Sequence, residues 1–347
     1  MKKELKDKIN KILVYLYCDN PISKKYKLKK IKEYLSVVGL ENIKSISIKQ
    51  KNKDLDSVNY SGDDIIDDYI DNFIEVIQDK ISKENLINLY NNISWMKIYV
   101  LDRINDGCSI NTTTLGIYND ETNELKLTSE TTPNVVYHEL FHLSSNNPNL
   151  DEYAIGFRYG TREWNIGIGL NEGYTELLVE RYFELENSDI YNFEKNVARR
   201  LDNIIDKEKM ESFYFNYNLF GLINELKRFY TLEEIEKFII GVDFISVYSE
   251  NRFLGKNEKL VMIYKLKEII GFLLKGYCIK LSKTNHDKTI KKEMIEEFLI
   301  TFDIDIFDED TIIDFNDIDY FNNIINTYLD NDIKIDLNNS QNKNNVL

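Results

Sequence analysis

One eleven-residue segment restricts the fold and chemistry of this chain more than any other. Val135 to Ser145 reads Val-Val-Tyr-His-Glu-Leu-Phe-His-Leu-Ser-Ser and contains His-Glu-x-x-His at His138, Glu139 and His142. Residues four apart on a helix share a face one turn apart, so both imidazoles can address one metal ion. Glu139, one step round, can reach a water bound to that metal. Val136, Leu140 and Leu143 recur at i, i+4 and i+7 on the opposite face, where a core would sit. Thr132 followed by Pro133 predicts the start of the helix: a capping hydroxyl, then proline at the first helical position. The chain has three histidines, and this window uses two of them.

A second stretch, Leu170-Asn171-Glu172-Gly173-Tyr174-Thr175-Glu176-Leu177, again sets two acidic residues four apart on one helical face. A catalytic zinc site takes three protein ligands and keeps one position open for water. Glu172 can be the third ligand. Glu176 can accept the second ring N–H of a metal-bound histidine and so set its tautomer. Taken alone, a pair of glutamates would be an ordinary exposed acidic face.

Together, His138-Glu139-x-x-His142 and Asn171-Glu172-x-x-Thr175-Glu176 resemble the gluzincin zinc metallopeptidases, the group that includes thermolysin. The likeness covers roughly Lys97 to Arg181. It implies a zincin-like catalytic core, one Zn²⁺ per chain on His138, His142 and Glu172, and Glu139 as general base. Glu176 stands where that group usually has an aspartate holding the first histidine, and Thr175 stands where serine is common. The implied reaction is hydrolysis of a peptide bond in a peptide or protein substrate. Two alternatives accompany it. One is a non-catalytic or regulatory module on the same fold, which would not need Glu139. The other is a proteolytic effector or toxin acting on a host or competitor protein. Endopeptidase and exopeptidase action are equally compatible with these residues.

The resemblance also implies a donor to the tetrahedral oxyanion outside both motifs. Tyr214 and Tyr217, i and i+3 on an expected helix, are the candidates, with aromatic core packing as the competing reading. Tyr153, Tyr159 and Tyr174 are rivals nearer in sequence. His286, the remaining histidine, lies in an expected exposed loop.

The expected fold class is α+β and predominantly α-helical. Only 14 glycines and 3 prolines interrupt 347 residues, which favours long helices. Residues 1–53 are lysine-rich, about +10, which leaves about −25 for the remainder. Helices are expected at Leu5 to Leu16 and Ser23 to Val38, with a strand at Ile43 to Ile48. This region suits either an anionic membrane surface or nucleic acid or, the preferred reading, a small helical unit docked on the acidic remainder. Residues 54–95 read as a helical connector, with Ser82 capping a second segment. Residues 96–186 form the catalytic core. Strands are expected at Met96 to Leu101, Thr114 to Tyr118 and Glu124 to Thr128, making a small mixed sheet ahead of the metal-binding helix. Leu125 to Thr128 is the candidate edge strand for an extended substrate, or else a strand with no ligand contact. Residues 187–337 form a helical C-terminal subdomain, including one long helix from Lys209 to Phe229. Residues 338–347 read as a flexible tail, and Asp303 to Asp319 as an acidic surface.

A net charge of −15 argues against nucleic acid as the principal partner. Cys18, Cys108 and Cys278 are isolated, so no disulfide framework or cysteine metal site is indicated. No signal h-region or membrane span is legible, which points to a soluble, cytoplasmic protein, with non-classical release left open. Oligomeric state is not encoded in these patterns.

Overall fold

The computed structural model describes residues 64–335, apart from 102–103, 105–114, 121, 147–152, 162–163, 184, 186–190, 250–255 and 301–317. The expectations for residues 1–53, for Asp303 to Asp317 and for the tail lie outside the described residues. Within them the protein is mostly helical, with two small sheets.

Helix α1 (Asp64–Ile77) buries Ile66, Ile70, Phe73, Ile74 and Ile77, a helical repeat of apolar residues. Helix α2 (Lys83–Trp95) begins at Ser82, whose hydroxyl accepts from the Asn85 N–H at 3.2 Å. The first sheet holds β1 (Lys97–Leu101), β2 (Gly116–Asn119) and β3 (Glu124–Thr128) in the order β1-β3-β2, with β1 parallel and β2 antiparallel to β3. The candidate edge strand Leu125 to Thr128 is therefore central: its backbone pairs on both sides and cannot take a further strand. Among the described residues, strands β1 and β2 are the edges.

Helix α3 (Pro133–Ser144) carries the His-Glu-x-x-His motif. Pro133 does sit in its first turn, but Thr132 makes no side-chain capping bond. The helix is covered on nearly every side. Phe73 of α1 meets Phe141 edge-on, with ring centroids 5.0 Å apart. Asn92 of α2 donates to the Leu143 and Asn146 carbonyls beyond its last turn. Strand β2 comes close at Gly116, where an added Cβ would lie 2.5 Å from Val135 Cγ1. Only glycine allows that approach.

Strands β4 (Tyr153–Ile155), β5 (Arg158–Thr161) and β6 (Trp164–Ile166) form an antiparallel meander. It leads into α4 (Ile168–Phe183), which carries the second motif and starts two residues before the stretch that holds it. Helix α5 (Asn192–Ile204) packs on α4 at Gly173, where a Cβ would fall 2.2 Å from the Glu194 backbone.

The expected long helix from Lys209 to Phe229 is broken into α6 (Lys207–Phe215) and α7 (Leu219–Leu226). Tyr217 takes a left-handed φ of 43°, and Asn218 caps α7 by accepting from the Gly221 N–H at 2.7 Å. Helices α8 (Leu232–Ser249), α9 (Lys256–Ser282), α10 (Lys288–Ile300) and α11 (Ile318–Tyr328) complete the chain. Phe238 of α8 stacks on Phe272 of α9 at 4.2 Å, and Phe321 and Ile325 of α11 are buried. Cys278 is free and buried, and burial pushes its thiol up to about 12. No helix among the described residues is long and apolar enough to cross a membrane.

Candidate metal centre

Helices α3 and α4 bring His138, His142 and Glu172 to one point. His138 Nε2, His142 Nε2 and Glu172 Oε2 are each 3.1 Å from the other two. A tetrahedral ion with bonds of about 2.0–2.1 Å holds its ligand atoms roughly 3.4 Å apart, so this triangle is within a few tenths of an ångström of a coordination face. Three electron-pair donors converging at this distance repel one another unless a cation or proton lies among them. The residues fit a divalent ion that takes imidazole and carboxylate ligands.

The surroundings orient each ligand. Glu176 Oε2 lies 3.0 Å from His138 Nδ1; with the proton there, Nε2 presents its lone pair to the centre. Burial disfavours a charged His138. The hydrogen bonds to Glu172 and Glu176, with the charges of Glu172 and Glu139, outweigh burial and lift its pKa to about 10. Burial likewise opposes ionisation of Glu172, but the two histidines hold its carboxyl well below the usual range. The site therefore carries concentrated negative charge facing two basic rings, a setting that favours a cation.

His142 Nδ1 lies 3.2 Å from Asn171 Nδ2 and 3.5 Å from Thr175 Oγ1. Ligation through Nε2 needs a proton on Nδ1, and Thr175 Oγ1 is the acceptor in reach. Thr175 itself donates to the Asn171 carbonyl at 2.8 Å. Asn171 Oδ1 accepts from the Phe157 N–H at 3.1 Å, which ties the meander turn to the motif.

Glu139 follows His138 on α3, near enough for its charge to raise the His138 pKa; it is half-buried, and its Oε2 accepts from the Tyr118 N–H at 2.8 Å. Tyr118 lies on the edge strand β2, so its amide points outward toward α3 rather than into the sheet. A buried chain fixes that strand end. Asn146 donates to the Tyr118 hydroxyl, which donates to Asn123 Oδ1, and Asn123 donates to the Asn92 carbonyl.

The tyrosine expectations need correction. Tyr214 is fully buried, and its hydroxyl is 2.7 Å from Thr175 Oγ1, behind the Nδ1 side of His142. That is the side away from the triangle, so Tyr214 stands behind His142 rather than facing the three converging atoms. Tyr217 belongs to the turn between α6 and α7, so the two rings share no helix face. Among the rivals, Tyr159 is buried against Phe220 at 4.8 Å. Tyr174 donates to Asp202 Oδ1 at 3.3 Å, in an ion cluster with Arg181 and Glu211. His286 is exposed in the loop before α10, apart from the centre. The neighbour that sequence reasoning missed is Tyr191, whose ring lies over His138 with centroids 5.6 Å apart and planes inclined at 17°. No local pattern announces it, because it enters from the start of α5.

Compared with family models, curated proteins and solved structures, the chain finds no match. Its function has to be read from this geometry.

Proposed function

We propose that this protein is a zinc-dependent peptidase with a zincin-like core. The observation that carries the reading is the placing of Glu139. A carboxylate that is not one of the three converging ligands follows His138 directly and is held by a backbone amide, and a purely structural metal site has no use for it. Bound to His138, His142 and Glu172, Zn²⁺ would supply a Lewis acid and a water acidified to near neutrality.

The chain's own residues do the rest. Glu139 takes a proton on its carboxylate and passes it to the leaving amine. Glu176 and Thr175 hold the two rings in ligating tautomers. Among the described residues, strand β2 offers an extended peptide an edge alongside α3 that no other strand pairs with, and Gly116 keeps that edge free of a side chain on the helix side. A peptide on this edge would compete with Glu139 for the Tyr118 N–H, and so deliver substrate and a released base together.

The test is an N-terminal profile of peptides in a proteome treated with wild type or with Glu139→Gln, alongside metal analysis. The expected result is about one zinc per chain in both proteins, and cleavage that falls by at least ~10² in the variant. Equal cleavage by both would rule out Glu139 as the base, and absence of zinc after reconstitution would rule out the centre.

A further inference from the structure

Tyr191 breaks two local rules at once. It occupies the N-cap of α5, where Ser, Thr, Asp or Asn would bond the first amides, and makes no side-chain capping bond. Its backbone lies at φ 57°, ψ 29°, in the left-handed region that a β-carbon disfavours. Asn192, which suits both the cap and that conformation, is the next residue. Burial does not explain the choice, since Tyr191 is only half-buried. What the unfavourable backbone achieves is the position of the ring, nearly parallel to the face of His138. Strain and broken local preference gather where function constrains a chain.

His138 is held at its edges by Glu176 on Nδ1 and by the triangle on Nε2. The Cβ–Cγ bond and the two in-plane contacts set the mean plane of the ring, but none of them presses on its face; the stacked Tyr191 ring does, and so resists rocking out of that plane. We infer that Tyr191 is a positioning residue for the metal centre. Its ring keeps His138 from rocking and walls that ligand from water, and its left-handed backbone exists to place the ring. This rests on the reading of the triangle as a metal site and adds to it a residue supplied from a helix that carries neither motif.

Tyr191→Gly separates ring from backbone, because glycine accepts the left-handed conformation without a β-carbon. Tyr191→Phe keeps the ring and removes the hydroxyl. Zinc affinity would be measured by competition with a chromophoric chelator, and ligand geometry by the visible spectrum of the Co²⁺-loaded protein. The expected result is ~10-fold weaker zinc binding and an altered cobalt spectrum for Tyr191→Gly, with metal-free melting within a few degrees of wild type. Tyr191→Phe should match wild type in both readouts. A Gly variant with wild-type affinity and spectrum overturns the inference while leaving the metal centre standing. A Phe variant as impaired as Gly also overturns it, by moving the effect to the hydroxyl. Wild type that takes up neither ion overturns inference and metal centre together.

Discussion

Two helix pairs in this molecule do opposite things with their interface. Helices α8 and α9 meet through Phe238 stacked on Phe272 and through Gly241 against Ile269, an interface of buried hydrocarbon and stacked rings with the Glu234–Lys275 ion pair at its rim. Helices α3 and α4 bury His138, His142, Asn171, Thr175 and Glu176 where they meet, with Glu172 nearly covered beside them. Taking a charged side chain out of water costs several kcal/mol, and a hydrogen-bonded partner only offsets that. The first pair is what folding alone selects. The second is less favourable for stability than an apolar equivalent, and each of its polar groups is aimed at another. The contrast teaches that the polar interface is retained for what it holds.

The sharpest way to break the comparison is to damage each pair in turn. Phe238→Ala should lower stability by about 3–5 kcal/mol in denaturant unfolding and leave zinc affinity unchanged. Glu172→Ala should abolish stoichiometric zinc binding, read by metal analysis, and cost far less stability without metal, because it also relieves a buried carboxylate. If Phe238→Ala loses zinc as fully as Glu172→Ala, the two interfaces are one cooperative unit and the contrast fails.

A smaller effect is expected where the polar pair supports its ligands from behind. Thr175→Val keeps the shape but removes the acceptor near His142 Nδ1. Zinc should bind ~10-fold more weakly, by chelator competition, with the melting temperature nearly unchanged. Wild-type affinity in this variant would show that His142 ligates without an acceptor from Thr175.

The smallest effect should appear at the junction of the pairs. Asp243 of α8 accepts from the Gly167 and Gly169 amides at the start of α4, at 2.8 and 3.0 Å. Burial pushes its carboxyl up to about 7, against the pull of those amides and of Arg158. An acid whose folded pKa is raised binds its proton more tightly when folded. The stability linked to that proton is fully present below the unfolded pKa near 4 and is lost as pH rises through 7. Relative to Asp243→Asn, wild type should lose ~1 kcal/mol between pH 6 and pH 8 in parallel denaturant titrations. Parallel curves would show that the carboxyl is ionised throughout.

Periodicity and spacing made the ligand-bearing helices legible. His138 and His142 are four apart, as are Glu172 and Glu176, and four residues on a helix is a fixed geometry that needs no tertiary information. The same holds for Ser82 as a cap and for the apolar repeat of α1. The order of the first sheet was not legible. The turn between β2 and β3 predicts that they pair, but nothing local says that β1 will join β3 from the other side and make it central. The break between α6 and α7 had a signal in the two asparagines of Asn216-Tyr217-Asn218, a residue type that favours caps and left-handed turns, which apolar periodicity across the segment masked.

What the sequence determined by itself is therefore the local part of the centre: which residues can ligate, which carboxylate stands beside them, and that helices carry both. What only the tertiary structure decided is how separate elements meet. The Tyr118 amide reaches Glu139 because Gly116 lets β2 close on α3. Tyr214 falls behind His142 and not in front of it. Tyr191 arrives on His138 from fifty-three residues away. Helical spacing is set by covalent geometry and hydrogen bonds within a few residues, whereas these contacts depend on side-chain volumes summed over the whole core.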